Sequence, residues 1–193
     1  KSLETIKYPV SVSNASPDMF KESNNIHTIT IYGIEGKTEM KSYEIDQQPW
    51  NSIKKNDKFK TIIIEEGVTI IGGNAFQGAT KINSVTIPIS VTTIQTNAFN
   101  GCISLTSIEL NKVQTIGSNS FTSSGLTKVI INSNVNKIES QAFSNCTSLT
   151  SVIFEEQSKL KTMSLSVFKS CTSLNTITIP TSVTTIGDYA FQS

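Results

Sequence analysis

Apolar residues recur along this chain at a long and nearly constant interval. Six phenylalanines stand 23, 22, 22, 25 and 23 residues apart, and they are Phe76, Phe99, Phe121, Phe143, Phe168 and Phe191. Each one ends a phrase like Ser-Val-Thr-Thr-Ile-Gly-Asp-Tyr-Ala-Phe, which begins at Ser182. A fixed period of this length indicates stacked repeats rather than a domain of unrelated elements.

Alignment on these phenylalanines divides the chain into eight units. They start at Leu3, Ile26, Phe59, Ile82, Leu105, Leu126, Leu149 and Leu174, and the first, fourth and sixth positions of every unit are apolar. The fourth and sixth positions are two residues apart, which predicts a short strand with these alternate side chains buried. A Val-x-x-Ile pair predicts a second extended segment, and the following Ala-Phe predicts a helical or 3-10 turn.

One such unit cannot bury its own apolar side, so the units must stack into a solenoid. We expect the first strands to form a single parallel sheet at a spacing of about 4.8 Å per coil. The second segments and the helical turns then form the opposite side. The phenylalanines are expected to stack inside as a spine.

The repeated phrase L-T-S-I-x-I-P-x-S-V-T-x-I-G-x-x-A-F-x-x-C-T-S resembles the BspA-like leucine-rich repeat, a family of surface proteins of bacteria and parasitic protists. The resemblance covers residues 59–193, and Leu174 to Phe191 follow it almost letter for letter. It implies a leucine-rich-repeat solenoid of about 23 residues per coil. It also implies a cell-surface or secreted protein that binds extracellular-matrix proteins, host surface proteins or other cells.

The repeats predict three segments. Residues 1–25 form one coil, 26–58 an atypical hairpin-like coil or cap, and 59–193 six BspA-like repeats of which the last is truncated. The middle segment lacks the Val-x-x-Ile…Phe half, and we expect Met40, Tyr43 and Trp50 to cover the next coil. Neither end carries a polar cap, which predicts an excerpt of a longer protein.

Charge and hydropathy exclude several classes of partner. The formal net charge is +1, which provides no attraction to nucleic acid or to anionic lipid. All 16 basic residues are lysine, so the guanidinium fork that favours bidentate binding of phosphate is absent. No apolar stretch approaches the 18 residues of a membrane span. We therefore expect no nucleic-acid partner and no membrane insertion by this segment.

The sequence also predicts a non-catalytic protein without cofactor or metal. His27 is the one histidine, and no phosphate-binding or zinc-binding motif occurs. Cys102, Cys146 and Cys171 each lie three residues after a spine phenylalanine, where other units carry Ser or Ala. A column that accepts all three types needs a small side chain, which favours buried free thiols. A Cys146–Cys171 bridge is the alternative.

The outward positions of the first strands are the candidate partner-binding face. Its residues are Ile63, Thr86, Glu109, Lys128, Ile130, Asn132, Ser151, Ile153, Glu155 and Thr178. Isoleucines that point to solvent from a flat, hydroxyl-rich sheet fit a broad protein surface better than a small-molecule pocket. The preference of β-branched residues for strands explains the same isoleucines without a partner.

Three functions follow from these observations. The first is a protein-binding module of a cell-surface protein that mediates adhesion through the sheet face. The second is a structural spacer or scaffold, with recognition carried elsewhere. The third is an intracellular interaction hub, which unpaired thiols would suit.

Overall fold

The computed structural model describes residues 3–12 and 14–193, which wind into a solenoid of about eight coils. We number the coils 1 to 8 by the repeat units. The described residues contain twelve strands: β1 (Thr5–Pro9), β2 (Thr28–Tyr32), β3 (Thr61–Ile64), β4 (Ile70–Ile71), β5 (Ser84–Thr86), β6 (Thr93–Ile94), β7 (Thr115–Ile116), β8 (Lys128–Ile131), β9 (Lys137–Ile138), β10 (Ser151–Phe154), β11 (Thr162–Met163) and β12 (Thr185–Ile186). All their pairings are parallel, because each coil returns to the same side of the solenoid.

The first strands place the predicted apolar columns inward. Ile29 pairs with Ile62, and Ile62 pairs with Val85, so each column runs from coil to coil. In β8, Val129 and Ile131 are buried while Lys128 and Ile130 are exposed. This two-residue alternation is the one that the sequence predicts.

The expectation of one continuous first sheet is wrong. The first strands form two pieces, in the orders β1-β2-β3-β5 and β10-β8, and residues 105–110 of coil 5 separate them. Asn111 follows this segment with a φ of 41°. Its side-chain amide, rather than its backbone N–H, donates to the Ile87 carbonyl. Leu105 and Leu110 stay buried, so apolar packing holds this coil.

The second strands form a narrower sheet on the other side of the core. Its order is β4-β6-β7-β9, followed by a separate pair β11-β12. The gap falls at coil 7, whose turn between the two strands is two residues longer than that of coil 6. There the Ser164 hydroxyl donates to the Ile138 carbonyl at 2.6 Å, where other coils use a backbone N–H.

The predicted phenylalanine spine is present, and it starts one coil earlier than the sequence indicates. The rings of Phe76 to Phe191 stack with centroids 5.3 to 5.9 Å apart and interplanar angles between 4° and 19°. Trp50 continues this stack below Phe76 at 5.2 Å. Tyr8 and Tyr43 then meet Trp50 edge-on. The core is therefore a column of stacked aromatic rings that is surrounded by columns of buried aliphatic side chains.

Coil 2 lacks the Val-x-x-Ile…Phe motif in its sequence, yet its chain still pairs with the second segment of coil 3. Glu39 forms a parallel bridge with Ile70, and the Met40 N–H donates to the Ile70 carbonyl at 3.0 Å. The segment passes so close to coil 3 that a Cβ at Gly72 would overlap the Lys41 carbonyl oxygen. A hairpin-like turn at Ile34–Lys37 and a loop before Trp50 account for the extra residues.

The predicted helical turns at the spine are instead non-helical turns, because the residue two before the phenylalanine has a positive φ. These residues are Asn74, Asn97, Asn119, Gln141, Ser166 and Tyr189, with φ between 55° and 61°. Only part of the N–H groups bond within the turn, as Ala98 does to the Gln95 carbonyl at 3.3 Å. Because positive and negative φ values follow each other in these turns, the remaining N–H groups point toward the next coil. Successive N–H groups point to one side in the same way in the backbone motif called a nest.

Candidate binding face

The sheet face is the outward side of the first strands, and it carries most of the residues that the sequence selects. Thr86, Glu109, Lys128, Glu155 and Thr178 are exposed, while Ile63 and Ser151 are half-buried. Ile130 and Ile153 each expose 43% of their surface.

Asn132 is the exception, and its assignment to the outward side is wrong. Only 7% of it is exposed. Its amide nitrogen points to the Leu110 and Val113 carbonyls at 3.5 and 3.4 Å, and its oxygen accepts from the Asn134 N–H at 2.8 Å. Asparagine folds back on its own turn in this way at strand ends. Its side-chain polar atoms are hydrogen-bonded within the solenoid and are not available to a partner.

Ile130 and Ile153 form one apolar patch, which we call the isoleucine patch. They are register partners on β8 and β10, so they lie side by side. Lys128 precedes Ile130 by two residues on the same strand, and Glu155 follows Ile153 by two. The patch thus has a cation at one end and a carboxylate at the other.

A shallow groove of about 460 Å³ opens beside the isoleucine patch where the sheet is interrupted. Ile108 and Leu110 line its floor, and Glu109, Lys128 and Glu155 lie around its mouth. Glu109 and Lys128 form no ion pair with any other residue that the structure describes. Their charges are therefore available to a partner.

The N-terminal part of the sheet face is different, because its charges pair with each other. Lys7 and Glu65 form an ion pair at 3.3 Å that passes over coil 2. Thr30, an outward residue of the strand between them, is only 5% exposed. Sequence reasoning missed this bridge because its two partners lie 58 residues apart. The open part of the sheet face lies on coils 5 to 7.

The three cysteines are buried free thiols that serve the coil packing. The thiols of Cys102, Cys146 and Cys171 donate to the carbonyls of Phe76, Phe121 and Phe143 at 3.2, 3.1 and 3.1 Å. Burial raises the pKa of Cys102 to about 12. A hydrogen bond with Cys146, together with burial, raises the pKa of Cys171. The same hydrogen bond lowers the pKa of Cys146, so Cys102 and Cys171 are the two thiols that a raised pKa makes poor nucleophiles.

We expect alkylation to find three slow thiols in the native protein. Iodoacetamide at pH 8 should modify Cys102, Cys146 and Cys171 within minutes in denaturant but only slowly under native conditions, because all three side chains are buried. Mass spectrometry of both samples measures this. A Cys146–Cys171 disulfide in the denatured, unreduced sample would contradict it and would indicate an oxidising compartment.

The one histidine lies at the surface. His27 is exposed, with its Nε2 3.7 Å from Glu4 and its Nδ1 3.1 Å from the Thr28 hydroxyl. Within residues 3–12 and 14–193, no three of the His, Cys, Asp and Glu side chains converge as metal ligands do. The same residues include no helix of the length and apolarity needed to cross a membrane.

Comparison with protein families gives the same repeat as the geometry. Residues 50–157 match the model of the BspA type leucine rich repeat region, in six copies. The chain belongs to this family. The BspA-type solenoid thus accounts for both the 23-residue period and the aromatic spine. Solenoids of stacked repeats offer extended binding surfaces to other proteins, and this is the class of function that the family suggests.

Solved structures of bacterial leucine-rich repeat proteins share the fold. One from Bacteroides ovatus aligns over 98% of this chain and 43% of its own, with a TM-score of 0.69 and 24% identity. The Treponema pallidum leucine-rich repeat protein aligns over 83% and 73%, with a TM-score of 0.70 and 24% identity. One from Eubacterium ventriosum aligns over 80% of this chain and 56% of its own, with a TM-score of 0.53 and 19% identity. No curated protein sequence matches the chain significantly. This chain spans less than half of the Bacteroides ovatus protein.

Proposed function

We propose that this BspA-type solenoid is a non-catalytic protein-binding module of a cell-surface or secreted protein, and that it mediates adhesion to extracellular-matrix proteins, host surface proteins or other cells. The observation that carries the proposal is the isoleucine patch with its unpaired charged border. Stable protein interfaces have the same anatomy, an apolar centre inside a polar rim.

The different roles of inward and outward residues support a binding site on the sheet face. Inward columns are committed to packing, so only outward residues are free to vary for recognition. On coils 1 to 3 the charges of Lys7 and Glu65 pair with each other, whereas on coils 5 to 7 Glu109 and Lys128 form no ion pair among the described residues and Ile130 and Ile153 are exposed. A broad and shallow surface of this kind fits a protein partner better than a small molecule.

A structural spacer is the second candidate, and the regularity of the coils favours it. Nearly half of the outward side chains outside the patch are threonine or serine, which offer little binding energy. A spacer predicts that the segment itself binds none of the proteins that the full-length protein binds. The experiment below separates the two.

Replacement of Ile130 and Ile153 by aspartate should weaken binding and preserve the fold. The segment is first assayed against a panel of purified extracellular-matrix proteins and intact host cells, and the variants Ile130→Asp, Ile153→Asp and the double variant against whichever of these binds. We expect each single change to weaken binding about tenfold or more, the effect of losing about 1.4 kcal/mol. The two effects should not add, because the side chains are neighbours. The free energy of unfolding, measured by thermal denaturation, should change by about 1 kcal/mol or less, since both positions face solvent.

Thr5→Asp is the matched control, because Thr5 is an exposed outward residue of β1 far from the patch. It should leave binding unchanged. Full affinity in the double variant would move the site away from this face. Failure of the unmodified segment to bind any member of the panel would favour the spacer.

A further inference from the structure

The first sheet is open along residues 107–110 of coil 5, a stretch that we call the sheet gap. Before it, the Thr127 N–H of coil 6 donates to the Thr106 carbonyl at 3.0 Å. After it, the Asn111 side-chain amide donates to the Ile87 carbonyl of coil 4. Both ends of the sheet gap are therefore fixed to neighbouring coils, so the gap is an opening inside the sheet rather than a frayed end.

Backbone groups at the sheet gap lack partners. Successive residues of an extended strand direct their N–H and C=O groups to opposite neighbours, so Ile108 and Leu110 face coil 6, as the Thr106 carbonyl does. The Ile131 carbonyl accepts from coil 7 at 3.0 Å, so the groups of Ile130 face coil 5. Among the described residues, the N–H groups of Ile108 and Leu110 meet no backbone carbonyl, and no backbone hydrogen bond joins Ile108 to Ile130.

The groove of about 460 Å³ lies over the sheet gap, because residues 107–111 line it together with residues of coil 6. Its floor is apolar, since Ile108 and Leu110 are 8% and 2% exposed. Two carboxylates, of Glu109 and Glu155, face one ammonium, of Lys128, so the charged groups around it sum to −1. A ligand that fits must supply backbone hydrogen-bonding groups, an apolar side chain and a positive charge.

We infer that the groove binds one extended segment of the partner protein, which pairs its backbone with the open groups of the sheet gap. The inference rests on the proposed function and specifies its partner chemistry, an apolar residue next to a lysine or arginine. Extended peptides bind open sheet positions in this way, with main-chain hydrogen bonds for affinity and alternate side chains for specificity. The volume lies within the range of ligand sites, about 300–1,000 Å³, and therefore fits a short segment rather than a domain.

A peptide selection tests the groove. Random decapeptides displayed on phage are selected on the protein, after removal of those that also bind the Ile130→Asp variant. We expect the enriched peptides to share an apolar residue next to a lysine or arginine. Glu109→Lys should weaken the best synthetic peptide about fivefold, since it reverses an exposed charge pair, whereas Glu35→Lys on coil 2 should have no effect. No enrichment, or equal effects of the two charge reversals, would overturn the inference.

N-methylation of the selected peptide tests for backbone pairing. Each amide is methylated in turn, which removes one donor and leaves the side chains unchanged. We expect affinity to fall about tenfold or more at alternate positions only, because every second amide of an extended segment faces the sheet gap. A loss at no position, or the same loss at every position, would show that the peptide does not bind as a strand.

Amide hydrogen exchange followed by NMR locates the peptide on the protein. The Ile108 and Leu110 amides should exchange fast in the free protein and slow by about tenfold or more with saturating peptide. Slow exchange without peptide would mean that the fold already satisfies these groups, and would overturn the inference. If the inference fails while Ile130→Asp still weakens binding to a member of the panel, the binding face stands without strand pairing. If the selected peptide pairs at the sheet gap but no panel member binds, strand pairing stands and the adhesion targets are wrong.

Discussion

Phe143→Ala should destabilise the protein by about 3–5 kcal/mol, the range for removing a buried aromatic ring. Phe143 is fully buried, and its ring stacks on Phe121 at 5.3 Å and on Phe168 at 5.5 Å. Its removal opens a hole that two junctions share. Because the core packing of each coil is with its neighbours, we expect the transition to split or broaden rather than only to shift. Chemical denaturation followed by circular dichroism measures both effects.

Phe191→Ala is the matched control, because the same ring in the same repeat has a neighbour on one side only and is 39% exposed. It should cost clearly less than Phe143→Ala and leave the shape of the transition unchanged. Equal costs for the two variants would show that the stack does not hold the coils together.

Trp50→Ala should also cost about 3–5 kcal/mol, and the loss should concentrate in coils 1 to 3. Trp50 makes two kinds of contact, since its ring stacks on Phe76 and its indole N–H satisfies the buried Ala75 carbonyl. Trp50→Phe separates them, because it keeps a ring for the stack and removes the donor. We expect Trp50→Phe to cost about 1–3 kcal/mol, the penalty for an unsatisfied buried acceptor.

Denaturation followed by far-ultraviolet circular dichroism measures both Trp50 variants without relying on tryptophan fluorescence. Wild-type stability in Trp50→Phe would mean that the indole hydrogen bond contributes nothing. A loss in Trp50→Phe as large as that in Trp50→Ala would mean that stacking contributes nothing. We expect the loss of stability in Trp50→Phe to lie between zero and the loss in Trp50→Ala, because this variant keeps the stacked ring and removes the donor.

The face that was predicted from the sequence is largely in place, and its exceptions have local causes. Strand periodicity was sufficient to assign Ile130, Ile153, Glu109 and Lys128 to the outward side, and all four are exposed. Asn132 has the same position in its unit as Glu155, yet it is buried. A short amide can accept from an N–H group of its own turn and donate to carbonyls of the coil before, and the alternation of strand residues does not predict these hydrogen bonds.

The sequence partly indicates the positive φ values at the spine turns. Asparagine stands two residues before the spine phenylalanine at Asn74, Asn97 and Asn119, and asparagine tolerates a positive φ better than most residues. Glutamine, serine and tyrosine fill the same position in coils 6 to 8, where they adopt it as well. Stacking on the preceding coil, rather than the preference of the residue itself, imposes the conformation there.

The sequence by itself determined the number of coils, the inward columns and the aromatic spine, because a repeated period assigns the same burial to the same position in every unit. Only the tertiary structure decided that Trp50 takes the place of a spine phenylalanine, that the sheet parts at coil 5 and that the turns send their N–H groups toward coil 8. These features depend on hydrogen bonds between residues about 20 to 30 positions apart. Such bonds form only after neighbouring coils have packed, so no local pattern of apolar and polar residues encodes them.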